Sequence, residues 1–173
     1  MESRIDLPAI GEMSQRQESI LQSIIDVRGS ADGPFLAWLH SPNLADLAQN
    51  LGAFCRYGTQ LDLAESELLI LCVAAHFECL GEQQIHEPIA IEAGLSEEQV
   101  AQIREKKFVR FQAKRKQLLW EFVGELLNQN KVNDSTFMSV HDEFGTQSLV
   151  ESVSIIGYYS FVAMTLNAFD MKL

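Results

Sequence analysis

Apolar side chains recur every three or four residues along most of this chain, which is the spacing of one face of an α-helix. No stretch shows the sustained polar and apolar alternation, closed by hairpin turns, that marks β-strands. Two capping boxes, Ser14 to Gln17 and Ser96 to Gln99, mark helix starts, while Gly29 and Gly94 mark helix ends. The sequence therefore predicts an all-α helical bundle of about eight to nine helices.

Two of the predicted helices have contrasting apolar patterns. From Gln147 to Ala168 the residues are apolar around most of the helix, which predicts burial on nearly all sides. Polar residues interrupt this run, so a buried or interface helix is favoured over a membrane span. The third helix opens at Ser41-Pro42, ends near Gly58 and carries a narrower stripe made of Leu44, Leu47, Leu51, Phe54 and Cys55.

Two short segments suggest a weak internal repeat. Gly58-Thr-Gln-Leu resembles Gly145-Thr-Gln-Ser, and each precedes an apolar helix with a glutamate in its early turns, Glu67 and Glu151 respectively. Two similar helical hairpins around one core would explain why the last helix is so apolar.

Length and composition narrow the class of protein. A chain of 173 residues, 47% of them hydrophobic, suits one domain spanning 1–173. The formal net charge of −11 argues against a nucleic-acid partner, because neutralising phosphates needs clustered Lys and Arg. We interpret the basic run from Lys106 to Lys116 as a solvated helix face or an intersubunit contact.

The cysteines and the N-terminus bear on the compartment. Three cysteines, an odd number, do not look like the disulfide framework of a small secreted protein. The first residues lack the basic segment and the apolar segment of a signal peptide. We therefore expect a cytoplasmic protein with no membrane partner.

Four side chains between residues 67 and 86 form the candidate active site. Glu82 and His86 stand at i and i+4, which places both on one face of a helix. Cys79 falls at the start of that helix, where free backbone N–H groups and the helix dipole favour a thiolate. Glu67 lies on the preceding helix, predicted at roughly 64–80, and reaches the others only if the chain bends, with Gly81 as the expected bend.

This spacing resembles the carboxymuconolactone decarboxylase and alkylhydroperoxidase D-like superfamily, whose redox members carry Glu-x11-Cys-x2-Cys-x3-His. Here the pattern reads Glu67-x11-Cys79-x2-Glu82-x3-His86, so a glutamate stands at the second cysteine position, as in many decarboxylase-like members. Shorter matches extend the resemblance over roughly residues 7–170; they include Arg28-Gly-Ser-Ala-Asp-Gly-Pro-Phe, His86-Glu-Pro-Ile-Ala and Gly157-Tyr-Tyr. The resemblance implies the all-α fold of the alkylhydroperoxidase D-like type and assembly into trimers or hexamers.

Three functions remain open. The first is non-redox acid/base chemistry on a small carboxylated or lactone substrate, with His86 as proton donor, Glu82 orienting it and Glu67 assisting. The second is an alkylhydroperoxidase-like, peroxiredoxin-type antioxidant that uses Cys79 as its peroxidatic thiol. The third is a non-catalytic homo-oligomer with the same fold.

The redox cycle and a metal site are both weakly supported. Cys72 precedes Cys79 by seven residues, about 10 Å along the helix axis, which is too far for a disulfide. We interpret Cys72 and Cys55 as core thiols. Glu67, Glu82 and His86 lack a tight metal-ligand spacing, so we expect no metal and no cofactor. We expect His86, Glu82, Glu67 and Cys79 to face one partly desolvated pocket.

Overall fold

The computed structural model describes residues 2–172 and contains eight helices and no strand within that range. The predicted all-α fold is confirmed. In chain order the helices are α1 (Gln15–Arg28), α2 (Phe35–Trp38), α3 (Pro42–Tyr57), α4 (Leu63–His76), α5 (Leu80–Glu92), α6 (Glu97–Arg104), α7 (Lys114–Gln129) and α8 (Asp134–Ala168).

Local sequence signals account for most helix ends. Complete capping boxes begin α1 at Ser14, α4 at Asp62 and α6 at Ser96, so each start satisfies free backbone N–H groups. Gly29 ends α1 in the left-handed conformation, at φ 81°. These signals lie within a few residues of one another, which is why the sequence reveals them.

Helix α4 is the centre of the bundle and packs against α5, α6, α7 and α8. Eleven of its fourteen residues are buried, including Glu65 and Glu67. Arg115 of α7 neutralises Glu65, with Nε 2.6 Å from Oε1. Glu67 therefore lies in the interior of the protein, and its own partner comes from α5.

Helix α8 is the only helix in residues 2–172 that is long and apolar enough to cross a membrane, and 61% of its most apolar window is buried in the protein. Gly145 interrupts it with φ 75° and ψ 170°, a backbone conformation that glycine adopts and other residues avoid. The two predicted helices, ending at Gly145 and starting at Gln147, therefore meet at this break. The second part is a core helix on most of its sides. The prediction of burial on nearly all sides is wrong for one face, where Val150, Val153 and Met164 are exposed.

One prediction about local structure is wrong. The bend after α4 is not at Gly81, which lies inside α5; the chain turns at Phe77 and Glu78 instead, and Glu78 takes a left-handed φ of 53°. The large side chains of the α3 stripe are exposed rather than packed in this chain, because α3 turns its small residues inward (Ala45, Ala48, Gly52).

Candidate active site

The α4–α5 hairpin brings Glu67 and His86 together in the interior. His86 Nδ1 lies 2.7 Å from Glu67 Oε2, and the two residues are only 2% and 1% exposed. A carboxylate only accepts hydrogen bonds, so Nδ1 carries the hydrogen and donates a hydrogen bond to Glu67. That bond fixes the tautomer of the ring and leaves Nε2 as the nitrogen available for chemistry.

Glu82 stands next to that second nitrogen. Its Oε2 is 3.5 Å from His86 Nε2, is buried, and has no hydrogen-bond partner within residues 2–172. Burial raises the pKa of Glu82; His86 and Arg56 oppose the rise, and the negative charge of Glu67 adds to it. Glu82 therefore holds a proton more tightly than an ordinary glutamate.

Aromatic side chains of α8 hold the imidazole ring from the side. Tyr159 meets His86 edge to face, with ring centroids 5.2 Å apart and planes at 90°, and Tyr158 packs against Tyr159 in the same manner. Burial raises the pKa of both phenols, so they stay protonated at neutral pH. The ring of His86 is thus fixed in position as well as in tautomer.

Glu82 and His86 line a cavity of about 430 Å³ between α1, α3, α5 and α8. A cavity of this size suits a small organic molecule. Two arginines, Arg28 at the end of α1 and Arg56 near the end of α3, line it as well. The remaining wall is largely aromatic or apolar and includes Phe35, Tyr57, Ile85, Tyr158, Tyr159 and Val162.

Cys79 is separated from this cavity. It lines a different one, together with Asn167 and Met171 near the end of the chain, and it is 1% exposed. Burial raises the pKa of its thiol; the negative charge of Glu82 adds to the rise, and the backbone N–H groups of Gly81 and Glu82 only partly oppose it. Glu82 and His86 therefore share a pocket as expected, and Glu67 lies behind them, bonded to His86. The expectation is wrong for Cys79, which lines a different cavity. Its raised pKa also disfavours the thiolate.

The other two cysteines are free, and neither lines the cavity that contains Cys79. Cys72 lines a third cavity beside His76, and burial raises its pKa to about 12. Burial also raises the pKa of Cys55 to about 11, against the opposing charge of Arg28. Neither thiol has the lowered pKa of a reactive cysteine.

No local sequence signal predicts a role for Arg28, Arg56, Tyr158 or Tyr159. The segments around Arg28 and around Gly157-Tyr-Tyr were noticed only as part of the resemblance. Their convergence depends on how α1, α3 and α8 pack around α5, and no local pattern encodes that. No group of three His, Cys, Asp or Glu side chains suited to a metal ion occurs in the part of the chain that the structure describes.

Comparison with known proteins gives matches in structure but not in sequence. No protein-family model and no curated protein sequence matches this chain. An alkylhydroperoxidase AhpD core, described as an uncharacterized peroxidase-related protein from Ralstonia eutropha JMP134, matches with a TM-score of 0.79 at 16% identity, covering 98% of this chain and 91% of that one.

Two further solved structures match at similar levels. A peroxidase-related protein from Silicibacter sp. TM1040 gives a TM-score of 0.81 at 11% identity, covering 98% of this chain and 91% of that chain. The apo debrominase Bmp8 gives 0.75 at 12% identity, covering 96% and 90%. The chain therefore has the all-α fold of the alkylhydroperoxidase D-like proteins, as the motif predicted.

Proposed function

We propose that this protein is an enzyme that performs non-redox acid/base chemistry on a small carboxylated or lactone substrate, in the manner of a decarboxylase. One observation carries the proposal: a buried histidine, held at Nδ1 by Glu67, presents Nε2 beside the buried Glu82 in a cavity of small-molecule size. Two positively charged arginines in the same cavity suit a substrate with negative charge. Cytoplasmic location is part of the same proposal.

The reaction needs one proton at one carbon atom. The bond between the substrate carbon and its carboxylate breaks, CO2 leaves, and the electron pair stays on the carbon as an enolate. His86 carries a proton on Nε2 as well as on Nδ1 in its imidazolium form, and the Nε2 proton is then transferred to that carbon. Glu82, with its raised pKa, returns a proton to Nε2, and solvent reloads Glu82 through the cavity.

Within this proposal, two supporting roles differ from those expected from the sequence. Glu67 makes the short bond to Nδ1, so it is Glu67, rather than Glu82, that orients the imidazole. Its negative charge also stabilises the imidazolium form that donates the proton. Glu82 serves as the proton carrier at the cavity side.

A second candidate function is hydroperoxide reduction, favoured by the peroxidase-related descriptions of two structural neighbours. Thiolate attack on the peroxide would give a sulfenic acid at Cys79 and an alcohol, and an external thiol would then have to reduce the sulfenic acid. The raised pKa of Cys79 and its separation from His86 weigh against this route. A non-catalytic homo-oligomer is the remaining alternative.

The proposed chemistry is tested by CO2 release from a panel of small carboxylated lactones and β-keto acids, without added oxidant or thiol. We expect at least one panel member to be turned over, with kcat lowered about 10²- to 10⁴-fold in His86→Gln. His141→Gln, which changes a half-exposed histidine of α8, is the matched control. Undiminished turnover in His86→Gln, or peroxide reduction that depends on Cys79, would favour the alternatives.

A further inference from the structure

The buried side-chain polar atoms that lack a hydrogen-bond partner belong to residues that line one cavity. Within residues 2–172 they are Arg28 Nε, Arg28 Nη2 and Glu82 Oε2, and both residues line the candidate active-site cavity. Folded proteins satisfy nearly all buried polar groups, so exceptions in one cavity indicate a functional demand. The two nitrogens of Arg28 need a ligand that accepts hydrogen bonds from a guanidinium.

Arg28 is held at the cavity by features of three helices. It is the last residue of α1, and its guanidinium carbon lies 4.8 Å from the centre of the Phe35 ring. On α3, Gly52 leaves room for it: a Cβ there would lie 2.7 Å from Nη2 and 2.1 Å from the hydroxyl of Tyr158 on α8. A side chain at position 52 would push both groups away.

The buried part of the cavity has more positive than negative charge. Neither Arg28 nor Arg56 forms a salt bridge within the described residues. Glu67 is already bonded to His86, burial favours the neutral form of Glu82, and the remaining acidic group, Asp32, is exposed at the rim. A negatively charged ligand would offset this excess of positive charge.

We propose that Arg28 determines substrate specificity by binding a carboxylate of the substrate that is retained in the product. Nε and Nη2 form one edge of the guanidinium, and that edge matches the two oxygens of a carboxylate. Both atoms are closed off from solvent, so binding an anion through this edge requires the guanidinium to turn toward the cavity. Arg56 supplies a second positive charge, and Phe35 and Tyr158 contact the apolar part of the substrate.

The bound carboxylate is not the one that leaves. Pairing Arg28 with the leaving carboxylate would stabilise the substrate more than the transition state and so slow the loss of CO2. This inference rests on the proposed function for the existence of a reaction, but the binding step itself needs no turnover. A binding experiment therefore separates the two.

Calorimetric titration with benzoate and with its neutral isostere benzamide tests the assignment. Both probes have a planar apolar body, and only benzoate carries the negative charge. We expect benzoate to bind the wild-type protein more tightly than benzamide and to lose about 10- to 100-fold in affinity in Arg28→Gln, as for a lost hydrogen-bonded charge. Benzamide affinity should not change.

Matched variants control for folding and for charge in general. Arg16→Gln removes an exposed arginine from the same helix and should leave both affinities unchanged. Arg28→Lys keeps the charge without the two-pronged edge and should still lose about tenfold for benzoate, which decides the matter if Arg28→Gln does not fold. Equal binding of the two probes, no benzoate binding, or full benzoate affinity in the Arg28 variants would overturn the assignment.

The outcomes also separate this inference from the proposed function. Benzoate binding that depends on Arg28, together with no CO2 release from any panel member, would support the anion site and contradict the decarboxylase-like reaction. Turnover that depends on His86 and is unaffected in Arg28→Gln would support the decarboxylase-like reaction and contradict the anion site.

Discussion

Three side chains surround the imidazole ring of His86, and each affects it in a different way. Glu67 fixes the tautomer, Tyr159 fixes the plane of the ring, and Glu82 stands at the nitrogen that remains available. The pair at i and i+4 could be predicted because helical spacing alone brings Glu82 and His86 together. The sequence predicts only that a bend brings Glu67 near His86. The short hydrogen bond between them could not be predicted, because its geometry depends on the turn between α4 and α5.

The first prediction at this scale uses the raised pKa of Glu82. The folded protein binds this proton more tightly than the unfolded chain, so the stabilisation is complete below pH 4.5 and is lost as pH rises through the folded-state pKa. The side chain in Glu82→Gln does not ionise, so this variant lacks that pH dependence. Its stability relative to wild type should therefore increase as pH rises above 4.5 and level off above the raised pKa.

Thermal unfolding of both proteins across this pH range measures the effect. Glu92→Gln, which changes an exposed glutamate of the same helix, is the control. A stability difference for Glu82→Gln that stays constant with pH would contradict the proposal that the buried charge of Glu82 destabilises the folded protein.

The second prediction concerns the reactivity of Cys79. Because the thiol is buried and its pKa is raised, we expect slow alkylation by iodoacetamide in the native protein at neutral pH and rapid alkylation after denaturation. Mass spectrometry of the digested protein measures the modified fraction. Rapid native alkylation of Cys79, together with oxidation of the unmodified thiol by hydroperoxide in a separate sample, would support the peroxidase alternative.

At the scale of helices, the sequence predicts where elements begin more reliably than how they pack. Capping boxes at Ser14 and Ser96 involve neighbouring residues and were read correctly. The bend was misplaced at Gly81 because glycine is the usual residue at a turn, whereas Glu78 adopts the left-handed conformation here. The face that α3 buries was missed because its packing depends on small residues that approach α1 and α8.

Gly52 provides the prediction at this scale. Adding a methyl group there would displace the Tyr158 hydroxyl and Arg28, so Gly52→Ala should destabilise the protein by about 1–3 kcal/mol and weaken benzoate binding. Gly124→Ala on α7, where nothing lies within 4 Å of the new atom, should stabilise it by about 0.5–1 kcal/mol. Thermal unfolding and titration measure both, and full benzoate affinity in Gly52→Ala would contradict the close packing at Arg28.

At the scale of the molecule, the exposed face of α3 supports the proposal of a homo-oligomer. Its large apolar side chains are at least 41% exposed in the single chain, and Leu47 reaches 73%. They are Leu44, Leu47, Leu51, Phe54 and Tyr57. A continuous apolar face of this kind marks an interaction surface more often than isolated exposed residues do. A second copy of this chain is the proposed occupant.

Leu47→Glu should therefore shift the protein toward the 19.4 kDa monomer in size-exclusion chromatography with light scattering. Ile10→Glu changes an isolated exposed residue, 89% accessible, and should leave the assembly unchanged. A wild-type protein that stays monomeric over a wide concentration range would remove this proposal.

Proton delivery from His86 to a substrate carbon is tested most directly by hydrogen–deuterium exchange. The product of whichever panel member is turned over is incubated with the enzyme in D2O, and NMR follows exchange at the carbon that received the proton. This exchange requires neither CO2, oxidant nor thiol. We predict exchange by the wild type and by Cys79→Ser, slowed about 10²- to 10⁴-fold in His86→Gln. Equal exchange in His86→Gln, or loss of exchange in Cys79→Ser with His86 intact, would contradict the assignment of the proton donor.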